Sequence, residues 1–441
     1  MKNGLYKKFF VLIASCALWH IEAQQDAVLV IGYNNTRIYD VKKIKDIAKE
    51  HFNATTVLCK KSPVSDDYNA ADYVIDTGLE AQIQHAQHVI NECKKWSLNP
   101  IAILPFSDPG TQLGALLAHT LGLPGNDLDT VRAGIDKSFF REQEKKALIK
   151  PKYYRPLFSK VISCKQELQE AYNQCPQGIF LKPCQEGNNR GCTHVRSLQD
   201  CERAWEFVEK YKAGGILAEE FVENAQEYSC DRAGIISWVT LKDTLISRSG
   251  KYRGEIQYIV PAPEDEQATA QKLAVGKFMA DISGSTVGAY HNEMFFKNNE
   301  ISAIEPNLRP AGGHLWDCAQ LAFENFNPWI YWIYTMAGKE LPHIALKRKC
   351  YVGFRFIYAL QDGTIVSLPT LQQQKHNSSD LVELGWLKKI NDSVSSDVKD
   401  NADFVGYIIA RDTDSVALNT TLHEVAEQLA HNLGIKIENI H

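Results

Sequence analysis

Between residues 27 and 122, short apolar stretches alternate with segments of helical length. In chain order these are AVLVIG at 27–32, an amphipathic segment at 40–52, TTVLC at 55–59, YVI at 73–75, a helical pattern around 80–95 and IAILPF at 101–106. Strands that alternate with helices in this way predict a parallel α/β layer. The last helix of the layer should start near Asp108-Pro109 and end by Gly122, a residue type common at helix ends.

The pattern changes from about residue 130. A charged helical segment, DKSFFREQEKKAL, is followed by β-rich stretches around 178–183, 215–222 and 235–247. The last hundred residues contain further strands and a closing helix expected at about 422–433. We therefore predict an α/β chain with α+β character in its central part. Its divisions are a leader at 1–25, an N-terminal α/β domain at 26–129, a central domain at 130–340 and a β-rich part at 341–441.

Composition and charge exclude several classes of protein. A chain of 441 residues that is 44% hydrophobic and 23% charged is typical of globular proteins and can form two or three cores. A net charge of −5, with dispersed lysines and arginines, argues against a nucleic-acid partner. The eleven cysteines include no C-x-x-C pair and no Cys/His cluster with zinc spacing, so we interpret them as mostly reduced.

The first 23 residues resemble a signal peptide. Lys2, Lys7 and Lys8 precede the apolar run 9–19, which is too short to span a bilayer. A misplaced start or a buried N-terminal strand would give the same pattern. The leader therefore allows an exported or membrane-tethered protein without requiring one.

The stretch AIEPNLRPAGG at 303–313 places Glu305, Asn307 and Arg309 two residues apart. In an extended strand such residues point to one face. The preceding sequence reads as a strand paired with this one. If the loop holds three residues, 298–300, then Lys297 faces Ile301 and Glu293 faces Glu305.

Two opposed carboxylates and an amide oxygen would form an all-oxygen site for a hard cation such as Mg²⁺. Arg309 would then offer a guanidinium fork to a phosphate oxygen. With a two-residue turn, the same spacing would instead place Glu293 on the other side, in a solvated edge face. Spacing alone does not decide between these two hypotheses.

Two further stretches have the residue types of a nucleotide site. IFLKPCQEGNNRGC at 179–192 is a strand that ends in Lys182 and leads into a loop with Gly187 and Gly191. Glycines allow backbone N–H groups to curl round an anion, although a plain hairpin turn would look the same. GILAEEFVENAQE at 215–227 contains Glu219-Glu220 and Glu227. Exposed backbone after this strand could pair with an adenine edge and a later carboxylate with a ribose, although an acidic loop would look the same.

Other chemistry has little support in the sequence. G-x-S-x-G, H-E-x-x-H and Walker A motifs are absent, and no G-x-G-x-x-G follows the first strand. His291 and His314 flank the metal candidate, but an isolated histidine near a site is more often structural than catalytic. We therefore assign neither histidine a catalytic role, and we assign none to Cys184 or Cys192.

Taken in order, these stretches resemble the ATP-grasp superfamily over roughly residues 26–435, most strongly from 130 to 315. The resemblance implies that Lys137 and Lys182 contact the nucleotide phosphates, with the glycine loop of Gly187 and Gly191 closing over them. It further implies an adenine hinge and a metal and phosphate site. The hinge comprises Glu219, Glu220 and Val222 with Glu227 on the ribose, and the metal site comprises Glu293, Glu305 and Asn307 with Arg309.

Two positions depart from the pattern of this family. Asn224-Ala225-Gln226 replaces the usual glycine between the adenine segment and the ribose glutamate, which puts the role of Glu227 in question. Pro306 lies between two metal ligands, where a small or aliphatic residue is common. Proline is tolerated at a sheet edge or a strand end.

Within the superfamily the chain is similar to carboxylate-amine ligases such as bacterial L-amino acid ligases. This resemblance implies a central ATP-grasp domain at 130–340, a C-terminal lid at 341–441, ATP with Mg²⁺ or Mn²⁺, and Lys182 and Arg309 as catalytic residues. The partners would be a small-molecule carboxylate and an amine, with amino acids expected and a homodimer left open. The alternatives are a carboxylase of the biotin-carboxylase or carbamoyl-phosphate type and a non-catalytic ATP-binding regulator. Since the reaction consumes ATP, we expect a cytoplasmic location.

Overall fold

The structure is a computed structural model, and it describes residues 24–33, 35–187, 190–246, 253–342, 344–370 and 381–437. Residues 1–23 of the predicted leader lie outside these ranges. None of the helices in the described ranges combines the length and the apolar character needed to cross a membrane.

The N-terminal part is the predicted parallel α/β layer. Its four parallel strands lie in the order β3-β2-β1-β4. The strands are β1 (Gln25–Ile31), β2 (Thr55–Lys60), β3 (Tyr73–Asp76) and β4 (Leu98–Pro105), and the helices are α1 (Ile38–Phe52), α2 (Asp67–Ala70), α3 (Ile83–Lys95) and α4 (Gly110–Leu121). Gly122 ends α4 with a φ of 67°, a left-handed conformation that glycine adopts without strain. This part of the prediction is confirmed.

A small antiparallel sheet follows the charged helix α5 (Lys137–Lys146). Its strands lie in the order β5-β8-β6-β7, and helices α6 and α7 pack against it. The elements are β5 (Ser159–Ile162), α6 (Lys165–Gln174), β6 (Ile179–Pro183), β7 (Thr193–Val195), α7 (Asp200–Val208) and β8 (Ile216–Glu220). Strands β6 and β8 are neighbours, so Lys182 and Glu219 lie on adjacent strands.

The largest sheet has eight strands in the order β13-β12-β9-β10-β11-β14-β18-β16. Its strands are β9 (Gln226–Ala233), β10 (Ile236–Ile246), β11 (Arg253–Val260), β12 (Tyr290–Lys297), β13 (Glu300–Asn307), β14 (Tyr351–Ile357), β16 (Leu381–Trp386) and β18 (Gly406–Asp412). Because β11 pairs with β14, one sheet crosses the predicted boundary at residue 340. The three-part division stays a proposal, with its last two parts joined by this sheet.

The remaining helices pack against the large sheet, and the three remaining strands form a small antiparallel sheet of their own. They are the helices α8 (Glu266–Ile282), α9 (Leu315–Ala322), α10 (Pro328–Met336) and α11 (Ser415–His431), and the strands β15 (Gly363–Ser367), β17 (Ser393–Val394) and β19 (Gly434–Lys436). The closing helix begins at Ser415, earlier than predicted, because the Asp414 carboxylate accepts hydrogen bonds from the first backbone amides. Trp316, Trp329 and Trp332 pack beside Phe106 at the end of β4, which brings the loop after β4 next to the central sheet.

Candidate active site

A cavity of about 1680 Å³ lies where the N-terminal layer, the small sheet and the large sheet meet. Eleven residues were predicted for the nucleotide and metal sites, and ten of them line this cavity; the exception is Gly191. Arg309 lines the cavity as well. The ten are Lys137, Lys182, Gly187, Glu219, Glu220, Val222, Glu227, Glu293, Glu305 and Asn307. The structure thus brings residues from distant parts of the sequence to one space.

Glu293 and Glu305 lie directly opposite each other in the β12–β13 ladder. The pairing was predicted with a three-residue loop, and that loop length is wrong. The turn holds two residues, Asn298 and Asn299, and Lys297 pairs with Glu300 rather than with Ile301. Both turn residues have positive φ, 53° and 62°, as a tight hairpin turn requires. A β-bulge between Glu293 and Met294, where β13 carries an extra residue, restores the alignment of the two glutamates.

Each carboxylate of the opposed pair is compensated by a lysine. Glu305 Oε2 lies 3.1 Å from Lys137 Nζ, and Glu293 forms a hydrogen-bonded ion pair with Lys242. Burial raises the pKa of Glu293, but the charges and hydrogen bonds of Lys242 and His291 outweigh it and hold that pKa below its usual range. Burial lowers the pKa of Lys137, but the charge of Glu305 outweighs this and raises it. The Glu293 carboxylate is thus held in the charged form that a cation requires.

Lys242 is a site residue that the sequence analysis missed. Its ammonium group is buried on β10 and pairs with Glu255 as well as with Glu293. His291 Nε2 lies 3.2 Å from the same ammonium, while His291 Nδ1 lies 2.6 Å from the buried Asp231 carboxylate. The sequence did contain one sign of this role, a single lysine inside the apolar strand WVTLKDTLI. Sequence spacing does not connect that lysine to Glu293.

Arg309 extends the site toward the N-terminal layer. Its Nε and Nη2 atoms donate to the two carboxylate oxygens of Asp108 at 2.9 and 3.1 Å, and Nη2 also lies 3.3 Å from Asn307 Oδ1. This bidentate geometry is the one guanidinium groups adopt with carboxylates and phosphates. Asp108 was predicted only as the start of a helix. Its position after a parallel strand, at the carboxyl edge of the sheet, was the signal for a site residue.

Lys182 is held by a buried network. Its Nζ lies 2.5 Å from Glu219 Oε2, and the other oxygen of Glu219 accepts a hydrogen bond from Arg141 at 2.6 Å. Burial raises the pKa of Glu219, but Arg141 and Lys182 outweigh it and lower that pKa below its usual range. The Glu219 carboxylate therefore faces lysine and arginine, and it positions Lys182 at the cavity wall.

The glycine loop lies beside Lys137, whose Nζ donates to the carbonyl oxygen of Glu186 at 2.8 Å. Gly187 lines the cavity and has open space where a Cβ would be. Gly191 has a φ of 72° and packs against Tyr211 and Pro183. Gly191 therefore shapes the turn, whereas Gly187 faces the cavity.

The predicted hinge also lines the cavity. Arg155 donates to both carboxylate oxygens of Glu220, at 2.9 and 3.0 Å, and Val222 is buried. Asn224, in the position of the missing glycine, adopts a φ of 56°. Asparagine tolerates this left-handed conformation better than most residues, so the turn forms without glycine and Glu227 still lines the cavity.

Comparison with known proteins gives relatives in sequence and in structure, although no model of a protein family matches the chain. D-alanine–D-alanine ligase of Bacillus licheniformis is 27% identical over 232 residues, which are 48% of this chain and 62% of that ligase. D-alanine–D-alanine ligase of Paracidovorax citrulli is 26% identical over 130 residues, 27% of this chain and 38% of that ligase. The chain thus spans less than two thirds of either relative.

Solved structures match over almost the whole chain. The L-amino acid ligase of Bacillus licheniformis has a TM-score of 0.72 at 16% identity and covers 95% of this chain and 100% of its own. Phosphoribosylglycinamide synthetase of Anaerococcus prevotii has a TM-score of 0.66 at 15% identity and covers 94% of this chain and 100% of its own. The architecture that the motif order implied is confirmed: this chain has the ATP-grasp fold.

Proposed function

We propose that the protein is an ATP-dependent carboxylate-amine ligase that forms an amide or peptide bond between amino acid substrates and releases ADP and phosphate. The observation that carries this proposal is the opposed pair Glu293 and Glu305, in line with Asn307, in a cavity that also receives Lys182 and Arg309. The sequence relatives are ligases of D-alanine, and one structural neighbour is an L-amino acid ligase, which supports amino acids as substrates.

The donor set fits a hard divalent cation, Mg²⁺ or Mn²⁺. Glu293, Glu305 and Asn307 offer only oxygen atoms, and an all-oxygen set is what such cations prefer. Lys137 pairs with Glu305, and Lys242 pairs with Glu293. A bound cation would neutralise phosphate charge during transfer. Asn307 Nδ2 donates to the carbonyl oxygen of His291 at 3.1 Å, and Asn307 Oδ1 accepts a hydrogen bond from Arg309 Nη2 at 3.3 Å, which a bound cation would replace or share.

The remaining residues suit ATP. Lys137 and Lys182 would contact the phosphates, and Gly187 would bring backbone N–H groups to the same oxygens. Glu220 and Val222 would offer backbone groups to adenine, and Glu227 would accept hydrogen bonds from the ribose. One structural neighbour, the N5-carboxyaminoimidazole synthetase of Staphylococcus aureus, was solved with ADP.

The reaction consists of two displacements. A substrate carboxylate oxygen attacks the γ-phosphorus of ATP and ADP leaves, which gives an acyl phosphate. The neutral amine of the second substrate then attacks the acyl carbon, phosphate leaves and the nitrogen loses a proton. Lys182 and Arg309 would stabilise the charge on the transferred phosphoryl group, and neither step needs a protein nucleophile.

Amine-dependent ADP release tests this proposal against the two alternatives. The full chain with Mg²⁺ and ATP would be screened with pairs of amino acids, and products would be identified by mass spectrometry. A ligase releases ADP and forms a dipeptide only when both substrates are present. ADP release with bicarbonate and no amino acid would favour a carboxylase, and ATP binding without turnover in any mixture would favour a regulator.

Location and assembly are separate proposals. We infer a cytoplasmic enzyme because the reaction consumes ATP, and mass spectrometry of the N-terminus after cell fractionation tests this. A mature chain that begins near Gln24 in the secreted fraction would contradict it. A homodimer would be detected by light scattering of the full chain.

A further inference from the structure

An aromatic wall, formed by Tyr39, His314, Phe354 and Tyr407, lines the cavity. The His314 ring lies 4.8 Å from that of Tyr39, with the planes 8° apart, and 4.7 Å from that of Tyr407. Phe354 stacks on Tyr407 at 5.2 Å. The four rings come from α1, the turn before α9, β14 and β18, so the wall forms only when the N-terminal, central and C-terminal parts assemble.

The backbone is shaped to hold this wall. A Cβ atom at Gly385 would overlap the ring of Tyr407, so only glycine allows this ring to lie across β16. A Cβ atom at Gly313 would come within 2.8 Å of the ring of Tyr258, which itself stacks on Phe354 at 5.3 Å. Tyr407 is therefore held directly against the main chain of β16, and Phe354 is held through Tyr258.

The wall carries one carboxylate for which no cation is found among the residues that the structure describes. Asp317 is neutralised, because Lys43 Nζ lies 2.6 Å and His314 Nδ1 3.0 Å from its oxygens. Glu383, on β16, lines the same cavity and accepts a hydrogen bond from the Tyr407 hydroxyl at 2.7 Å. Among the described residues, Glu383 forms no salt bridge, which leaves the aromatic wall with a net negative charge.

A carboxylate beside aromatic side chains suits a substrate side chain that carries an ammonium or guanidinium group on an alkyl stem, because the carboxylate pairs with the cation and the apolar ring edges pack against the stem. A substrate anion would be repelled by Glu383. The attacking amine of a ligase must be neutral, so a group held here as a cation is not the one that reacts.

We propose that the aromatic wall and Glu383 select a substrate whose side chain carries a positive charge, which makes basic amino acids or diamines the substrate class. This inference rests on the proposed ligase function, since it assigns a second recognition point within the same cavity. Glu383 would supply the charge, and Tyr407 would hold its carboxylate in place.

Calorimetry with near-isosteric ligands tests the inference without turnover. The full chain, with Mg²⁺ and a non-hydrolysable ATP analogue, would be titrated with arginine against citrulline and with lysine against norleucine. In at least one of these two pairs, we expect the cationic ligand to bind at least 10-fold more tightly than its neutral partner. Glu383→Gln, which keeps an acceptor for Tyr407, should weaken cation binding by about 10- to 100-fold and leave the neutral member unchanged. Glu424→Gln, an exposed change on α11, is the control for lost charge.

Three outcomes would overturn the inference: equal binding of charged and neutral members, an unchanged cation affinity in Glu383→Gln, or no binding of any of the four ligands. Measurements of turnover distinguish a failure of this proposal from a failure of the proposed ligase function. Dipeptide formation with neutral amino acids only would refute the charge selectivity and leave the ligase intact. Charge-selective binding without amine-dependent ADP release in any mixture would refute the ligase and leave the selectivity.

Discussion

Glu293 faces Glu305 across the β12–β13 ladder although only two residues, Asn298 and Asn299, form the turn between their strands. Without the β-bulge, this turn would pair Glu293 with Ile304. The extra residue in β13 shifts the register by one and brings Glu305 opposite Glu293. Turn and bulge together therefore create the acidic pair on which the proposed metal site depends.

The first prediction concerns the turn. Asn299→Val should lower the free energy of unfolding by about 1–2 kcal/mol, because a β-branched residue is strained at the φ of 62° that this position adopts. Urea denaturation of both proteins measures the change. Asn299→Gly is the matched control and should unfold with near wild-type stability. A valine variant as stable as the glycine variant would contradict the observed turn.

The second prediction concerns two charged residues that are proposed to act on the phosphates of ATP, directly or through the metal. Lys182→Ala and Glu305→Gln should each reduce kcat by at least about 10²-fold, since each removes a group that would stabilise transferred charge or hold the metal. The fold should persist, because Glu219 keeps Arg141 as a partner when Lys182 is lost. ADP release and circular dichroism measure the two effects.

Lys212→Ala is the control for this pair of variants. Lys212 is exposed and pairs with Glu209 at 3.0 Å on the surface, so its loss should leave kcat unchanged. Near wild-type turnover by Lys182→Ala or Glu305→Gln would remove the corresponding residue from the proposed machinery.

The sequence predicted those features that depend on local periodicity. The N-terminal layer followed from alternating apolar runs, and α4 ended at Gly122 as expected. The bulge was not predicted, because the prediction from strand spacing assumed regular pairing and counted only the residues of the turn. Lys242 and Asp108 were missed because their partners are set by the tertiary fold. Lys242 pairs with Glu255 and Glu293, and Asp108 pairs with Arg309.

The third prediction concerns acid stability. The pKa of Glu219 is lower in the folded chain than in the unfolded chain, so the pair with Lys182 and Arg141 stabilises the fold at pH above about 4.3. This stabilisation should be lost as the pH falls from there toward the folded pKa. In that window, Glu219→Gln should reduce the slope of unfolding free energy against pH by up to about 1.4 kcal/mol per unit. Urea denaturation at a series of pH values measures the slope, and equal slopes in both proteins would contradict the assignment.

The last prediction concerns the buried cation Lys242. Oxygens of Glu255 and Glu293 and a nitrogen of His291 lie within 4.8 Å of one another, a grouping that could hold a metal ion. Lys242→Met should lower the free energy of unfolding by about 3–5 kcal/mol, because it leaves two carboxylates without their cation. Mn²⁺ at 100 times its dissociation constant should then restore about 2.7 kcal/mol. Denaturation with and without Mn²⁺ measures both effects. A gain that survives addition of Glu255→Gln would show that the ion binds elsewhere.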